Sequence, residues 1–449
     1  MSIYPTLLQK VIMPVGEALR GMPISKYLAQ LDESQWLPPN EIKQLQLEKL
    51  RQLCAYAYER VPYYRRLFDT VGLAPAEIAS VADLRRLPLL TKPLIRAHAK
   101  ELVPPDFPRD QLVAHASSGS TGEPLQYYSS KKSDAMLAAS LRRCWQWAGY
   151  EFGRPWARVQ LWHRNRWTLT QKIDSALLRC TYVGSYQFDD ATIAAGINKI
   201  RAAHPEIIRG YTSAIYLMAK HMQEHGLDPI PVKAVITHSE TLFPHYRALI
   251  EAQFRCRVYD TYGGEGMVIA GQCERGNYHL NDESVLVEFL RDDETPAAPE
   301  ELAHIIVTNL NNDAMPFIRY RIGDMGSYQL GSCPCGRGLS LMEFIGGRDT
   351  DIIRTVDGKY VMVQFFVVFF EVEPGVEQFQ VIQSQADELR IKMVVNDQFT
   401  PQDEARVRAG IQAGCGENTR LIFEYVEDIP PAPSGKRRFI ISESGPQRG

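Results

Sequence analysis

Ser117 to Pro124 read Ser-Ser-Gly-Ser-Thr-Gly-Glu-Pro, eight positions with two glycines and four hydroxyl side chains. Glycine lets backbone N–H groups approach an anion closely, and hydroxyls add donors, so Ser117, Ser118, Gly119, Ser120, Thr121 and Gly122 have the chemistry of a phosphate cradle. The stretch is not the P-loop NTPase form, because no Gly-Lys-Ser/Thr follows and Glu123 stands where a lysine would help. A polar surface loop is the alternative that composition allows. Two further stretches, Thr237-His238-Ser239-Glu240 and Asp260-Thr261-Tyr262-Gly263-Gly264-Glu265-Gly266, each follow an apolar, strand-like run. A tyrosine offers a face for stacking on a purine, and a nearby carboxylate can hold a magnesium ion bridging phosphates. For each, a plain turn is the alternative. Asp324, just after Gly323, can accept two hydrogen bonds from vicinal ribose hydroxyls. Arg319 and Arg321 alternate before it and suit structural salt bridges equally well. Lys436 ends a proline-stiffened run, Pro430-Pro431-Ala432-Pro433-Ser434-Gly435; it can read a phosphate or belong to a solvated basic C-terminus.

A second chemistry is carried by Cys273, His279, Cys333 and Cys335. Three thiolates and one imidazole are a normal tetrahedral zinc set, and Cys-x-Cys can place two thiolates on one ion. Gly331, Gly336 and Gly338 around the pair suit a tight knuckle. The reading is a structural zinc; a catalytic base is the alternative for His279. Cys54, Cys144, Cys180, Cys256 and Cys415 show no such spacing and read as ordinary buried thiols.

These residues must be positioned by a chain of 449 residues with 45% hydrophobic and 23% charged content. That composition is globular, and a prior of ~150 residues per domain allows two or three domains. A net charge of −3 gives no bulk electrostatic case for nucleic acid or an anionic membrane,. Eight scattered cysteines do not form a secreted disulfide framework,. Met1–Gly16 lacks the pattern of a signal peptide. The run Val361–Phe370 contains Gln364 and is far below the ~20 residues of a membrane span. A cytoplasmic enzyme is expected. Periodicity predicts a helical segment to about residue 100, with Ile42–Tyr58 the clearest helix, broken where Pro62 disfavours helical geometry at Val61. Beyond it, strands at Val159–Trp162, Ile207–Gly210 and Ala234–Thr237 alternate with helices at Ser213–His225 and Phe243–Phe254. That alternation predicts an α/β body with largely parallel strands, whose ends gather ligands. Gly346-Gly347-Arg348-Asp349-Thr350-Asp351 reads as a polar linker, followed by strands and a helix at Gln402–Ala413.

In this order the motifs resemble the acyl-adenylate-forming superfamily, in the phenylacetate–CoA ligase-like branch that includes CapK-type, coenzyme F390 synthetase-like proteins. The resemblance runs from about Val61 to Ile441. It implies an α/β N-terminal adenylation domain at 1–345 with a helical N-terminal segment and a zinc-binding insertion. A hinge at 346–351 and a small, mobile α+β C-terminal domain at 352–449 follow. By similarity Ser117–Gly122 wraps the ATP phosphates, Ser239 and Glu240 flank adenine, and Tyr262 and Gly263 form the aromatic-glycine pair of the nucleotide pocket, beside Asp260. Asp324 takes the ribose, Arg348 opens the hinge, and Lys436 stabilises the adenylation transition state. Glu265 takes the magnesium, and Cys273, His279, Cys333 and Cys335 match a zinc site of this branch. The implied activity is ATP-dependent activation of a small carboxylic acid with pyrophosphate release, then acyl transfer to CoA. An amide ligase acting on an amine is the alternative, and a non-catalytic nucleotide-binding relative the remoter one. Oligomeric state stays open, with a homodimer the form considered. Three departures stand out: Glu265 is three rather than four after Tyr262, Glu123 replaces the common loop lysine, and Thr350 replaces the first hinge aspartate. The glycine-rich segments of a phenylacetate pocket have no counterpart near Gly184–Phe188, which argues against phenylacetate itself.

Overall fold

Apolar residues at three- and four-residue steps make the beginning of the chain helical. The computed structural model describes residues 3–116, 125–160, 168–184, 190–348, 352–356, 360–371, 373, 375–385, 387–430 and 438–442. Helices α1 (Tyr4–Leu7) and α2 (Met13–Arg20) flank a π-helical turn, and α3 (Ile24–Ser34), α4 (Pro39–Arg60), α5 (Pro62–Val71), α6 (Val81–Leu84) and α7 (Lys92–Ala97) follow. The break between α4 and α5 falls where Pro62 imposes it: Val61 is extended, with φ −107° and ψ 110°,.

A hairpin of β1 (Leu112–Ala116) and β2 (Gln126–Ser130) leads into α8 (Lys131–Trp147). Then β3 (Trp156–Gln160), α9 (Leu169–Leu177), β4 (Cys180–Gly184), α10 (Asp190–Ala203), β5 (Ile207–Tyr211), α11 (Thr212–Glu224), β6 (Ala234–His238), α12 (Pro244–Phe254) and β7 (Arg257–Gly264) alternate. Six more strands follow: β8 (Met267–Gln272), β9 (Tyr278–Leu280), β10 (Val285–Leu290), β11 (Ala303–Asn309), β12 (Tyr320–Gln329) and β13 (Leu341–Arg348). Together they make one eleven-stranded sheet in the order β10-β11-β12-β13-β9-β8-β7-β6-β5-β3-β4. The run β4-β3-β5-β6-β7 is parallel, whereas β7–β8, β8–β9, β9–β13 and β10–β11 pair antiparallel.

Parallel strands covered on both faces read as apolar runs, and alternate residues show which helix covers which face. Ala157, Val159, Ile208, Val235 and Val258 pack against the layer of α10, α11 and α12. Trp156, Ile207, Ala234 and Ile236 pack on Trp145 and Trp147 of α8. Helix α9 lies on the α8 side, where Trp156 Nε1 donates to the Leu178 carbonyl at 3.0 Å. Thus β3 and β5 are neighbours whose following helices leave to opposite faces, which opens a crevice outside their carboxyl ends. Arg143 of α8 anchors the helical segment. It is wholly buried, pairs with Glu283 at 2.7 Å and donates to the Leu31 carbonyl at 3.1 Å. Breaking such a buried pair costs about 3–5 kcal/mol, because the surviving charge is left without compensation.

The remaining elements are β14 (Ile352–Arg354), β15 (Tyr360–Met362), α13 (Val363–Glu371), β16 (Val376–Gln385), β17 (Glu388–Val395), α14 (Pro401–Cys415), β18 (Arg420–Tyr425) and β19 (Ile440–Ser442). Four of these strands form a sheet in the order β18-β17-β16-β19. Helix α14 starts with a capping box, Thr400 accepting from the Asp403 amide at 3.3 Å and Asp403 from the Thr400 amide at 2.8 Å,. By contacts the chain divides into two compact units. The larger reaches to Phe344 without Gly323–Gly326; the smaller takes those four residues and the chain from Ile345 on. The polar turn expected at Gly346-Gly347 is instead the end of strand β13, which continues to Arg348; glycine marks turns and strand interiors alike. Among the described residues no helix is long and apolar enough to cross a membrane.

Candidate functional site

Two adjacent strand ends of the larger unit carry several of the motif residues. Strands β6 and β7 run parallel, with Thr237 opposite Asp260 and His238 opposite Thr261. Just beyond β6, Ser239 takes a left-handed conformation, φ 70°, and its hydroxyl lies 2.8 Å from His238 Nδ1. The Glu240 carboxylate accepts from the Ser213 amide at 2.8 Å, and Thr212 donates to the Glu240 carbonyl at 3.2 Å. An acid at the N-terminus of α11 satisfies a donor the helix cannot and meets the positive end of its dipole. Glu240 therefore fixes the loop after β6 through its carboxylate.

Asp260 is placed differently from a nucleotide ligand. It is buried, its two carboxylate oxygens accept from Thr237 Oγ1 at 2.6 Å and from Tyr278 OH at 2.7 Å, and burial pushes its pKa up to about 6. It shares its sheet face with Thr237, on the side covered by α12 rather than at the strand's open end. Its neighbour Tyr262 sits at an irregularity in the β7–β8 ladder, followed by Gly263. A Cβ on Gly263 would fall 2.1 Å from the Met267 carbonyl oxygen, so only glycine fits there. The hairpin closes through Glu265, φ 41°, and Gly266, φ 75°. Two left-handed residues make the tight turn that matches strand twist, and a glutamate in that conformation is uncommon. The shortened Tyr262–Glu265 spacing is thus built into a tight hairpin.

Lys92 stands in a proline-containing stretch, Leu87-Pro88-Leu89-Leu90-Thr91-Lys92, that carries no chemical motif. The Leu90 amide donates to the Arg319 carbonyl and the Arg321 amide to the Leu90 carbonyl, each at 2.9 Å. That pairing sets the start of α7 beside the β7–β8 turn, with Lys92 Nζ 3.7 Å from Glu265 Oε1 and both side chains largely buried. No local signal announces such a pairing. Arg319 takes its structural alternative, an ion pair with Glu288 at 3.0 Å, and Arg321 Nη2 lies 3.0 Å from His304 Nε2. Asp324 lies within β12, after Gly323 at φ 90°, and belongs to the smaller unit. Arg348 ends β13. Its side chain, the whole Ser117–Gly122 loop, Asp349, Thr350, Asp351 and Lys436 lie outside the described residues.

The Cys/His set does converge. One donor atom from each of Cys273, His279, Cys333 and Cys335 lies within 4.8 Å of every other. Cys273 Sγ is 3.7 Å from Cys333 Sγ, and Cys335 Sγ is 3.3 Å from His279 Nε2. Two matching turns shape the site. The Gly276 amide donates to the Cys273 carbonyl and the Gly336 amide to the Cys333 carbonyl, with φ 87° and 88° at the two glycines. The Arg275 amide and Asn277 Nδ2 donate to Cys273 and Cys333 sulfur at 3.3 and 3.1 Å, as donors around thiolates do. Burial pushes the Cys273 thiol up to about 12 and the His279 imidazole down to about 4.

Comparison with known proteins adds the rest. Residues 353–443 match the family described as the CapK C-terminal domain. The chain is 24% identical to Protein CapK of Staphylococcus aureus across 90% of both chains. It is 26% identical to a phenylacetate-coenzyme A ligase of Thermus thermophilus, across 82% of this chain and 84% of that protein. A solved 2-hydroxyisobutyryl-CoA ligase in the postadenylation state superposes with a TM-score of 0.72 at 18% identity, covering 92% of each chain.

Proposed function

We propose that this chain, a relative of the phenylacetate–CoA ligases and of CapK with the fold of adenylate-forming ligases, activates a carboxylic acid with ATP and passes the acyl group to CoA. One observation carries the reading: similarity to such relatives extends over 82% and 90% of the chain rather than over one domain. The chemistry balances in two steps. A carboxylate oxygen attacks the α-phosphorus of ATP and pyrophosphate leaves; the thiol sulfur of CoA then attacks the acyl carbon, loses its proton, and AMP leaves. Charge builds on phosphate oxygens in the first step, so cations aimed there contribute most. The chain's own candidates are Lys436, Arg348 and Lys92. Ser117–Gly122 would cradle the phosphates, Ser239, Tyr262 and Gly263 would border the base, and Asp324 would hold the ribose. Asp260 supports this surface from behind, holding β7 to β6 and β9. Glu265, a carboxylate in a tight turn, would hold magnesium, which neutralises phosphate charge. The second reading, carried by the same resemblance, has an amine as the acceptor in place of CoA.

For the Cys/His set we propose a structural zinc. Tetrahedral zinc with Zn–S near 2.3 Å implies sulfur–sulfur edges of about 3.8 Å, close to the 3.7 Å between Cys273 and Cys333. A buried thiolate needs a cation, and burial holds His279 neutral, the form that ligates metal,. All four positions are taken by protein, so the metal holds the β8–β9 turn to the segment before β13.

The test is a panel of carboxylic acids assayed for pyrophosphate release from ATP, with and without CoA. Acid-dependent release followed by CoA thioester formation is expected. Release that never leads to a thioester, but does lead to an amide when amines are supplied, would move the chain to the second reading. No acid-dependent release across the panel would overturn the adenylation reading.

A further inference from the structure

Arg158 on β3 and Arg209 on β5 are register neighbours, and Tyr182 on β4 stands beside Arg158. All three lie on the face covered by α8, just beneath the crevice where β3 and β5 send their helices to opposite sides. Along β3 and β5, Trp156, Gln160, Ile207 and Tyr211 are buried, yet Arg158 and Arg209 between them are partly exposed; Tyr182, on the edge strand β4, is partly exposed like Cys180 and Gly184. The sheet face is therefore recessed at Arg158 and Arg209, with Tyr182 beside them.

The recess is rich in donors. Arg209 Nε is buried with no hydrogen-bond partner among the described residues, and so is Nε1 of Trp145, whose ring centre lies 5.3 Å from the Arg209 guanidinium carbon. Gln160, with its oxygen toward Arg158, accepts from Arg158 Nε and Nη2 at 2.8 and 2.7 Å and donates to Tyr182 OH at 3.0 Å. Burial, and then the charge of Arg158, hold Arg209 down to about 9. Arginines kept for packing in this chain bring their own acceptors. Arg143 has Glu283 and the Leu31 carbonyl, and Arg319 has Glu288 and the Leu87 carbonyl. Arg209 makes no ion pair among the described residues, and it sits beside a second guanidinium. Two desolvated donors and two adjacent cations are a poor core and a good receptor for an anion.

We propose that this recess holds the far end of the acyl substrate, and that this end carries a second acidic group, bound by Arg209 and Arg158 with a hydrogen bond from Trp145 Nε1. The inference rests on the adenylation reading and names its substrate class: acids with two anionic groups. Arg209 stands two residues before the end of β5, roughly 7 Å below it at ~3.3 Å per residue. That depth suits a few carbons between the reacting carboxylate and the buried one, as in glutarate.

The test uses the full chain and matched acids: succinate, glutarate, adipate and phthalate, each against its monoamide and its monoacid of equal length. Calorimetric binding and pyrophosphate release are measured for the wild type, Arg209→Met and Arg209→Lys. At least one diacid should bind tenfold or more tighter than its neutral partners. Arg209→Met should bring that ratio near one, and Arg209→Lys should retain part of it. Because the wild-type guanidinium has no hydrogen-bond acceptor or ion pair among the described residues, Arg209→Met should melt no lower than the wild type without ligand. A lower melting temperature together with an unchanged diacid preference would assign Arg209 to packing and overturn the proposal. Neutral acids that bind and release pyrophosphate as well as every diacid would overturn it too, while leaving adenylation standing. Selective diacid binding that depends on Arg209, without any pyrophosphate release, would instead keep the recess and sink the adenylation reading.

Discussion

Asp260 is enclosed in the sheet and receives its hydrogen bonds from the hydroxyls of Thr237 and Tyr278. Burial outweighs those donors and raises its pKa from 3.8 to about 6. The folded chain therefore keeps a proton that the unfolded chain gives up between about pH 4 and pH 6. Stability falls as pH rises through that window, by up to about 3 kcal/mol for a two-unit shift. Asp260→Asn removes the ionisable group while keeping an acceptor. Denaturant titrations should show the variant gaining on the wild type at pH 7 and losing that gain near pH 5. A gain that grows at pH 5 would mean that the native carboxylate is ionised and held by its donors. Asp324 is the residue proposed for the ribose. If it takes the ribose hydroxyls, Asp324→Ala removes charge-assisted hydrogen bonds of about 1.5–3 kcal/mol. Equilibrium binding of ATP should weaken roughly ten- to hundred-fold, and an unchanged affinity would remove Asp324 from the site.

If the four ligands hold one zinc, that ion stabilises the two Cys-x-x-Gly turns and the strands they join together. With a closed four-ligand zinc, Cys333→Ser should lower the melting temperature more than it lowers turnover per folded molecule. Metal analysis of chelator-free protein should find one zinc per chain; finding none would sink the assignment. Normal melting with lost turnover would make the metal catalytic. The convergence of Cys273, His279, Cys333 and Cys335 was legible in the sequence because ligand types and glycine turns are local signals, as were α4, α12 and the strands β5 and β6, whose periods are local too. What stayed hidden is tertiary. An alternating strand does not say which face a helix will cover, so Asp260 looked like a ligand although it points beneath α12. Lys92 meets Glu265 only because Leu90 pairs with the strand around Tyr320, a contact no spacing encodes. The two glycines at 346 and 347 carry the same signal in a turn and at the end of β13. Arg209, a charge inside an apolar strand-like run, carries no signal of its own in the sequence, because Arg158 stands beside it only in the folded sheet.

For the whole chain, the mechanism proposed from the resemblance assigns the two half-reactions to different uses of the C-terminal domain, and Lys436 is the residue that tells them apart. If the domain presents this lysine to the phosphate during adenylation and withdraws it for acyl transfer, losing the lysine should damage the first step alone. A cation that neutralises developing charge in a water-poor site contributes about 3–4 kcal/mol, or roughly a hundred- to thousand-fold in rate, by analogy with a lost oxyanion donor. Lys436→Ala should therefore be nearly inert when given acid and ATP. The same variant, given chemically prepared acyl-adenylate and the acceptor thiol, should form product at close to the wild-type rate. A solvated basic tail predicts little change in either assay. Equal damage in both assays would instead indicate a folding defect or a domain that serves both steps in one position, and circular dichroism with a melting curve separates those two. Only loss of the first step with retention of the second assigns Lys436 to adenylation and requires the domain to take a different role in transfer.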